Sequence, residues 1–370
     1  MKLTIDRTVL LSSLTHVQSV VERRNTIPIL SHVQIEATAE NVRFRATDLE
    51  LAVVESVPAV VENPGRATAP AHTMYDIVRK LPDGADVELN LDQERRRLML
   101  TAGRSQFSLS CLPNEDFPTI EDEELPHQFY MPVNDAKTMI ERTRFAISTE
   151  ETRYYLNGIY MHALENGQKL RAVATDGHRL ARFEMDCPAG AENLPGVIVP
   201  RKAVNEIHKL LGDGDGDVMI SIGETKIRVA MGDTVLTSKL IDGTFPDYER
   251  VIPQNNNNRV SVDAKVFSSA VDRVSTISTE KSRAVKVAVA GDKVMLSANS
   301  PEHGSASEEL VIENDGSELE IGFNSRYLLD IMQQINGDVA AFDLNDASSP
   351  TIVSDPVDAS ALYVLMPMRV

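Results

Sequence analysis

The chain lacks the sequence features of membrane-spanning proteins, of secreted proteins with a signal peptide, and of proteins with disulfide frameworks or cysteine metal sites. It has no run of about 18 or more apolar residues, which a membrane-spanning helix would need. The N-terminal MKLTIDRTVLL has no basic region followed by an uninterrupted apolar stretch, so we expect no signal peptide. Only Cys111 and Cys187 are present, without metal-ligand spacing, which favours reduced thiols over a disulfide. These absences predict a cytoplasmic protein without a membrane partner, metal or cofactor.

Positive charge is also scarce. The chain carries 37 Lys and Arg against 55 Asp and Glu, a formal net charge of −18. Non-specific binding to nucleic acid comes from Lys and Arg that neutralise phosphates, so this balance argues at first against it. The net charge does not say where the charges lie, however, and basic residues gathered on one face would still attract DNA. The positions of the cations therefore decide between these two interpretations.

One amphipathic helix recurs three times along the chain, at 69–84, 199–214 and 323–338. Each copy has inward positions at i, i+3, i+4 and i+7. The repeat is far longer than the roughly 20 to 50 residues of a solenoid unit, so each copy can bury its own core. We expect three homologous domains at 1–125, 126–255 and 256–370. The inward residues are Met74, Ile77, Val78 and Leu81, then Val204, Ile207, His208 and Leu211, then Leu328, Ile331, Met332 and Ile335.

A second amphipathic helix begins each repeat, with Asn134 and Asp263 as predicted N-caps of the second and third copies. Short runs with period-two alternation, punctuated by Gly and Pro, predict strands between the helices. The fold class is therefore α+β, with helices that back antiparallel sheets. The predicted second helices lie within 6–24, 133–149 and 262–278, and clear strands are VRFRAT at 42–47, KIRVAM at 226–231 and KVMLSA at 293–298.

The Lys and Arg of this acidic chain lie largely on or beside the six predicted helices. The acidic clusters at 114–125, 213–217 and 313–320 fall instead in predicted loops or outer strands. For any single cation, the alternative is a solvated helix face that balances a nearby carboxylate. Taken together, the cations favour a DNA-facing surface. The candidates are Arg24, Arg79, Lys80, Lys137, Arg142, Arg201, Lys202, Lys209 and Arg273.

Two other functions can be proposed from short motifs. An enzyme could use Asp176 and His178 of ATDGHR, but no Ser or Cys nucleophile elbow accompanies them, and a turn capped by Asp176 is favoured. A calcium loop could start at Asp213 with Asp215, Asp217 and Glu224, but Val218 stands where the loop needs Gly. The Asn255–Asn258 run is interpreted as a linker between domains.

The whole chain resembles the beta subunit of bacterial DNA polymerase III, the sliding clamp family. The motifs that carry the resemblance are RYYLNGIY at 153–160, ATDGHRLARF at 174–183, VIVPRKAV at 197–204, TSKLIDGTFPDYERVIP at 237–253 and YVLMPMRV at 363–370. The resemblance implies a non-catalytic processivity subunit with three clamp domains, in which helices line the inside and sheets form the outside. Two chains would close head to tail around double-stranded DNA as a ring homodimer.

The resemblance also implies a peptide-binding pocket between the second and third domains. Short peptides of the polymerase alpha subunit, the clamp loader, other polymerases and repair proteins would insert apolar anchors there. Ser348 and Pro350 depart from the family pattern at one edge of this pocket. The implied pocket residues are Arg153, Tyr155, Leu156, Thr175, Gly177, His178, Arg179, Leu180, Pro246, Arg250, Val251, Tyr327, Ser348, Pro350, Val364, Met366, Pro367, Met368 and Arg369.

For ring closure, the resemblance points to a sheet edge of the first domain and a helix end of the third. The implied interface residues are Arg104, Phe107, Leu109, Thr276 and Ile277. Phe107 and Leu109 alternate with serines, as in an edge strand with one apolar face. Glu302, Glu308 and Glu309 are expected to meet basic residues across the same contact.

Overall fold

The computed structural model describes residues 1–118, 123–164, 166–212, 214–278, 283–314 and 316–369. These residues form two compact units. The first unit comprises Met1–Ala136 and Lys202–Leu240, and the second comprises Lys137–Arg201 and Ile241–Val370. The boundaries differ from the three predicted domains, because strands of the predicted second domain are divided between sheets of both units.

All six predicted helices are present, and each is shorter than its sequence pattern. Side-chain caps set several starts, since Asp6 accepts hydrogen bonds from the backbone of Thr8 and Val9, and Asp263 accepts one from Val266. The cap predicted at Asn134 is wrong, because the helix begins one residue earlier. The helices are α1 Arg7–Gln18, α2 Ala71–Lys80, α3 Val133–Arg144, α4 Arg201–Leu211, α5 Ala264–Ser275 and α6 Ser325–Met332.

The strands are short and pair antiparallel throughout the described ladders. The first thirteen are β1 Lys2–Asp6, β2 His32–Ala37, β3 Asn41–Thr47, β4 Leu51–Pro58, β5 Val60–Asn63, β6 Gly65–Pro70, β7 Asp86–Asp92, β8 Arg97–Ala102, β9 Ser105–Ser110, β10 His127–Pro132, β11 Gly158–Ala163, β12 Lys169–Thr175 and β13 Arg179–Asp186. The others are β14 Val197–Pro200, β15 Asp217–Ile222, β16 Lys226–Met231, β17 Thr234–Lys239, β18 Asn258–Asp263, β19 Ala284–Ala290, β20 Lys293–Ser300, β21 Gly304–Val311, β22 Glu313–Asn314, β23 Leu319–Asn324, β24 Val339–Leu344, β25 Thr351–Asp355 and β26 Asp358–Leu365.

Each unit contains one short sheet and one long sheet. The first unit has a five-stranded sheet, β5-β1-β7-β8-β9, and an eight-stranded sheet, β10-β15-β16-β17-β4-β3-β2-β6. The second unit has a four-stranded sheet, β21-β20-β19-β23, and a nine-stranded sheet, β14-β11-β12-β13-β26-β25-β24-β18-β22. In each long sheet the join between predicted domains is a strand pair, β17 with β4 and β26 with β13.

The helices cover the sheets with the apolar stripes that the sequence predicts. In α1, Leu10, Leu14 and Val17 are fully buried, and in α5, Phe267 and Val271 are buried in the same way. None of the helices in the described ranges is long and apolar enough to cross a membrane. The linker interpretation of the asparagine run holds only in part, because Asn258 already begins β18.

Candidate functional site

The motif ATDGHR forms a tight turn between β12 and β13. Gly177 has φ +86°, in the left-handed region that favours glycine. The backbone N–H of Gly177 donates to the Thr175 hydroxyl at 3.1 Å, and those of His178 and Arg179 donate to Asp176 Oδ1 at 2.9 and 3.0 Å. The Asp176 carboxylate is therefore occupied by the turn, and the favoured interpretation as a capped turn is confirmed over an acid–base pair.

Arg179, at the end of this turn, is a buried structural cation. Its guanidinium donates to Asp330 on α6 at 2.5 Å, to the Phe145 carbonyl at 2.6 Å and to Asp176 at 3.2 Å. It also lies over the Tyr327 ring, 4.3 Å from the centroid. Burial raises the pKa of Tyr327 above its usual range. Arg179 therefore holds the turn against α6.

The segment after β26 runs along the turn. The backbone N–H of Met366 donates to the His178 carbonyl at 2.9 Å, and that of Met368 donates to the Gly322 carbonyl at 2.8 Å. The His178 and Tyr327 rings stack with centroids 6.2 Å apart. Met366 remains 39% exposed, so its flexible thioether is available to a ligand.

An apolar cluster lies beneath the turn and the tail. The predicted pocket residues Leu156, Leu180 and Val364 belong to it, but each is at most 4% exposed. They form the floor of the site and give it shape. The cluster also contains Val173, Ile198, Phe245, Tyr248 and Ile252, which the sequence analysis did not assign to the pocket. The predicted pocket residue Tyr155 packs against the cluster, together with Tyr160, Ile241, Ile352 and Leu362.

The rim of the site comes from the segment that follows Ile241. Pro246 and Arg250 are exposed, and Val251 is 48% exposed. Arg250 pairs with Asp247 at 2.6 Å within the short 3-10 turn Tyr248–Val251. The rim therefore presents exposed polar and apolar groups beside the buried apolar cluster.

Arg153 also contacts the turn that contains Gly177. It donates to Glu150 at 2.9 Å and to the Asp176 carbonyl at 3.0 Å. A Cβ on Gly177 would lie 2.5 Å from Arg153 Nη1. The glycine is therefore favoured by its positive φ, and a Cβ at this position would also require the end of the flexible Arg153 side chain to shift.

The two residues that depart from the family pattern, Ser348 and Pro350, lie in a preorganised loop. Ser348 donates its backbone N–H and its hydroxyl to Asp346 at 2.8 Å, and Ser349 does the same. These hydrogen bonds lower the pKa of Asp346 to about 2. The side-chain amide of Asn256 donates to the Pro350 carbonyl at 2.9 Å. The loop is fixed by polar contacts rather than by apolar packing.

All nineteen predicted pocket residues lie in the second unit. The turn, the stacked rings, the tail and the floor are joined by the contacts above. The sequence analysis missed a polar group behind the rim, in which the buried Arg171 and Tyr248 contact the half-buried His162 and the exposed Glu249. Its signal was present in the motif TSKLIDGTFPDYERVIP, whose aromatic and acidic residues had no assigned partner.

Most of the predicted DNA-binding cations are on the surface. Arg24, Arg79, Lys80, Arg201, Lys209 and Arg273 are exposed, and Lys137 is half-buried. Several are already paired, since Lys209 contacts Glu206 at 2.7 Å and Arg273 contacts Glu308 at 2.5 Å. Lys202 is bound by both Glu22, at 2.8 Å, and Asp48. The positive charge of Lys202 is therefore largely neutralised by these two carboxylates of the first unit.

The prediction for Arg142 is wrong. Its side chain is 7% exposed and forms an ion pair with Asp358 at 3.2 Å. A guanidinium buried in this way cannot reach a phosphate without breaking that pair. The helical pattern alone could not show this, because the carboxylate partner lies more than 200 residues further along the chain.

The predicted interface residues Phe107 and Leu109 lie on β9, an edge strand of the five-stranded sheet. Leu109 is 7% exposed and packs into the first unit, whereas Phe107 is half-buried. Phe107 borders a cavity of about 350 Å³ together with Ile77, Leu81 and Pro82. Arg104 is exposed in the turn before β9.

The predicted partners in the third domain lie at the end of α5 and beside β21. Thr276 is exposed and Ile277 is half-buried, just after the last residue of α5. Glu308 and Glu309 lie on β21, an edge strand of the four-stranded sheet, and pair with Arg273 and Lys293 of the same chain. The two glutamates therefore have partners before any second chain is considered.

The calcium alternative has no support in the structure. Asp213 lies outside the described residues, and Asp217 begins β15, so a strand follows where the motif needs a helix. Within the described ranges, no group of three or more His, Cys, Asp and Glu side chains is placed to hold a metal ion.

Comparison with known proteins decides the family. Models of the N-terminal, central and C-terminal domains of the DNA polymerase III beta subunit match residues 1–121, 130–247 and 249–369. This chain belongs to that family. The beta sliding clamps of Caulobacter vibrioides and Escherichia coli are 52% and 39% identical to it over 372 residues, with 100% of each chain covered.

Solved structures of the family have the same fold. A DnaN sliding clamp from Bartonella birtlesii, bound to griselimycin, matches with a TM-score of 0.98 at 50% identity, and the match covers 100% of both chains. The clamp from Caulobacter crescentus matches with a TM-score of 0.95 at 51% identity, again over 100% of both. The chain is thus a DNA sliding clamp with three tandem clamp domains, the non-catalytic processivity factor of a DNA polymerase III.

Proposed function

We propose that two copies of this clamp close head to tail into a ring around duplex DNA. The observation that supports the ring is a pair of open sheet edges. The edge strand β9 ends a five-stranded sheet and the edge strand β21 ends a four-stranded sheet, whereas the sheets that cross domain joins have eight and nine strands. Pairing β9 of one copy with β21 of the other would give a sheet of the same size. An exposed edge of this kind otherwise invites aggregation.

Phe107 and its cavity supply the apolar part of this contact. We expect Ile277 of the second copy to fill the cavity beside Phe107, because that isoleucine is half-buried at a helix end. The same head-to-tail contact occurs twice and closes the ring.

The test of the ring is sedimentation of Phe107→Asp beside a matched control. An aspartate at position 107 would be desolvated in the contact, so we expect a monomer. Val60→Asp is the control, since Val60 lies on β5, the other edge of the same sheet, and is 70% exposed. A dimeric Phe107→Asp protein, or a monomeric Val60→Asp protein, would contradict this placement.

The ring acts by topology. A closed ring stays on DNA without tight contacts, so its cations can touch phosphates loosely and allow sliding. Tethering the polymerase to the ring replaces repeated bimolecular rebinding by an intramolecular step. We expect loaded clamp to remain on circular DNA and to leave the same DNA after linearisation. Equal retention on both forms would contradict a topological link. We place this activity in the cytoplasm, with the bacterial chromosome.

We further propose that the site in the second unit binds short peptides of the polymerase alpha subunit, the clamp loader, other polymerases and repair proteins. The exposed Met366 and Val251 would contact the apolar anchors above the buried floor of Leu156, Leu180 and Val364. His178 and Arg250 would contact the polar ends of the peptide.

The test is the affinity for a fluorescent peptide from the polymerase alpha subunit. Deleting residues 366–370 removes the backbone bonds to His178 and Gly322 and one wall of the site, so we expect at least a hundredfold loss of affinity, about 2.7 kcal/mol. The control is Val357→Ser, which changes an apolar residue that is 81% exposed. Unchanged affinity after the deletion would show that the peptide binds elsewhere.

A further inference from the structure

The first unit contains a second cavity, which the proposed peptide and dimer contacts do not use. Its volume is about 210 Å³. It lies between α1 and α4, over the strand pair β4 and β17. Its walls are Thr15, His16, Ser19, Val53, Glu206, Lys209, Leu210 and Leu236.

The second unit repeats this part of the framework, and the two can be aligned residue by residue. In the first unit Leu236 of β17 pairs with Val53 of β4, and in the second Tyr363 of β26 pairs with Ala181 of β13. Val53 and Ala181 stand at the same distance from the equivalent turns Thr47–Leu51 and Thr175–Arg179. Leu236 is therefore the counterpart of Tyr363.

The helices give a second equivalence. Ser19 is the first residue after α1, and Phe145 is the first residue after α3, a helix of the same length. Glu206 and Asp330 are likewise the sixth residues of α4 and α6. Four cavity residues of the first unit, Ser19, Val53, Glu206 and Leu236, thus have identified counterparts in the second.

Aromatic rings occupy the corresponding space of the second unit. The Phe145 and Tyr363 rings are 5.7 Å apart, and Tyr363 is 1% exposed. In the first unit a serine and a leucine stand in their places, and the cavity lies where the larger side chains would be. Cavities of about 150 Å³ with apolar walls can bind a benzene ring, so this one is large enough for a substituted ring.

The polar wall favours a ligand that donates a hydrogen bond. The Ser19 hydroxyl donates to the His16 carbonyl at 2.7 Å, and the Thr15 hydroxyl donates to the Leu11 carbonyl at 2.7 Å. Both oxygens keep lone pairs that can accept. The Glu206 carboxylate is 8% exposed, and its Oε1 accepts from Lys209 at 2.7 Å. Val53, Leu210 and Leu236 supply the apolar contacts.

We propose that this cavity is a binding site for a small phenol, whose ring takes the space that Phe145 and Tyr363 fill in the second unit and whose hydroxyl donates to the Ser19, Thr15 or Glu206 oxygens. The ring would contact Val53, Leu210 and Leu236. The site is independent of the peptide pocket, because all its residues belong to the first unit.

The experiment uses the full-length clamp and p-cresol, the side-chain analogue of tyrosine. Saturation-transfer NMR measures its contact with the protein, and the same titration with toluene removes the hydroxyl. The key variant is Ser19→Phe with Leu236→Tyr, which restores the two rings of the second unit. Each single substitution is a second variant in case the double one does not fold. Val60→Asp is the matched control, because Val60 is exposed on β5, in the other sheet of the unit, and does not line the cavity.

We expect a saturable p-cresol signal from the unaltered clamp and from Val60→Asp, with at least a fivefold loss in the filled variants. Toluene should bind at least threefold more weakly than p-cresol. An equal p-cresol signal in the filled variants, or none in the unaltered clamp at millimolar ligand, would overturn the proposal. Equal binding of toluene would overturn the assignment of a phenol.

Discussion

At the scale of single residues, two buried arginines of this clamp form ion pairs with carboxylates that are distant in sequence. Arg179 and Arg142 are both less than a tenth exposed, and each is bound by a carboxylate from a later element, Asp330 or Asp358. A sequence pattern places such a residue on a helix or a turn. It does not show which carboxylate folds back onto it, and for Arg142 the prediction therefore failed.

Tyr248 lies behind the proposed peptide site, and we expect it to affect peptide affinity without contacting the peptide. The Tyr248 hydroxyl accepts from Arg171 at 2.6 Å and lies 2.9 Å from His162 Nε2, and both contacts hold the turn that carries Arg250 and Val251. We expect Tyr248→Phe to cost about 1–2 kcal/mol of unfolding free energy. Peptide affinity should fall about threefold to tenfold, measured by fluorescence polarisation.

Tyr154→Phe is the matched control for that prediction, because Tyr154 is 53% exposed. It should leave both quantities unchanged. If Tyr248→Phe loses stability but keeps full peptide affinity, Tyr248 is structural only and does not position the rim.

The pair His16 and Glu55 predicts a pH dependence of stability. The hydrogen bond that His16 Nδ1 donates to the Glu55 carboxylate, at 2.7 Å, raises the pKa of His16 above its usual value, and burial opposes this. Protonated His16 is therefore favoured in the folded state. Its contribution is fully present below the pKa of an unfolded histidine, about 6.5, and is lost as the pH rises through the higher folded value.

The measurement is urea unfolding of the clamp and of His16→Gln between pH 5.5 and pH 8.5. We expect the difference in unfolding free energy to be largest at the acidic end and to shrink as the pH rises. A difference that stays constant, or grows toward alkaline pH, would contradict the role of His16.

At the scale of elements, the same turn is built twice with different residues. In the turn between β3 and β4, Leu49 donates to the Thr47 hydroxyl at 3.0 Å, and Glu50 and Leu51 donate to Asp48 at 2.9 and 2.7 Å. Leu49 has φ +80°, where the other turn has Gly177. The first copy is therefore strained, because a leucine rarely adopts this backbone conformation.

Substitutions at Leu49 and Gly177 should change the free energy of unfolding in opposite directions. Leu49→Gly relieves the strain, although glycine costs entropy, and we expect a net gain of about 0.5–1 kcal/mol. Gly177→Ala places a residue with a Cβ in the left-handed region at φ +86° and displaces the end of the Arg153 side chain, so we expect a loss of about 1–3 kcal/mol. Chemical denaturation measures both. A loss of stability in Leu49→Gly would show that the leucine side chain makes compensating contacts.

The elements were predictable where periodicity was long and regular. All six helices and the strands at 42–47, 226–231 and 293–298 are present, because their apolar faces had to be buried. The ends of the helices could not be predicted from periodicity, because they depend on single capping residues such as Asp6. The joins β17 with β4 and β26 with β13 bring distant segments together, and no local pattern specifies such pairs.

At the scale of the whole molecule, an acidic chain binds an acidic polymer. The net charge of −18 repels DNA, so the contact depends on which cations remain free of internal carboxylates. In the described parts of the chain, Arg24, Lys80 and Arg201 are exposed and form no ion pair, unlike Lys202, Lys209 and Arg273. The sequence analysis named all six but could not separate these two groups.

The unpaired cations should dominate the salt dependence of DNA binding. Each one that contacts a phosphate contributes about 0.9 to the slope of log affinity against log salt. We expect Arg24→Ala, Lys80→Ala and Arg201→Ala together to reduce that slope while the dimer is kept. Arg95→Ala is the control, since Arg95 is 82% exposed in the turn between β7 and β8. An unchanged slope in the triple variant would mean that other residues contact the DNA.

The buried Arg179 has a mechanical consequence. Its guanidinium joins the turn at Asp176 to α6 at Asp330, so the turn and the helix form one lever. A movement of the turn would therefore have to move α6 as well, or break the ion pair between Arg179 and Asp330. The position of the turn and the position of this helix are thus connected through one arginine.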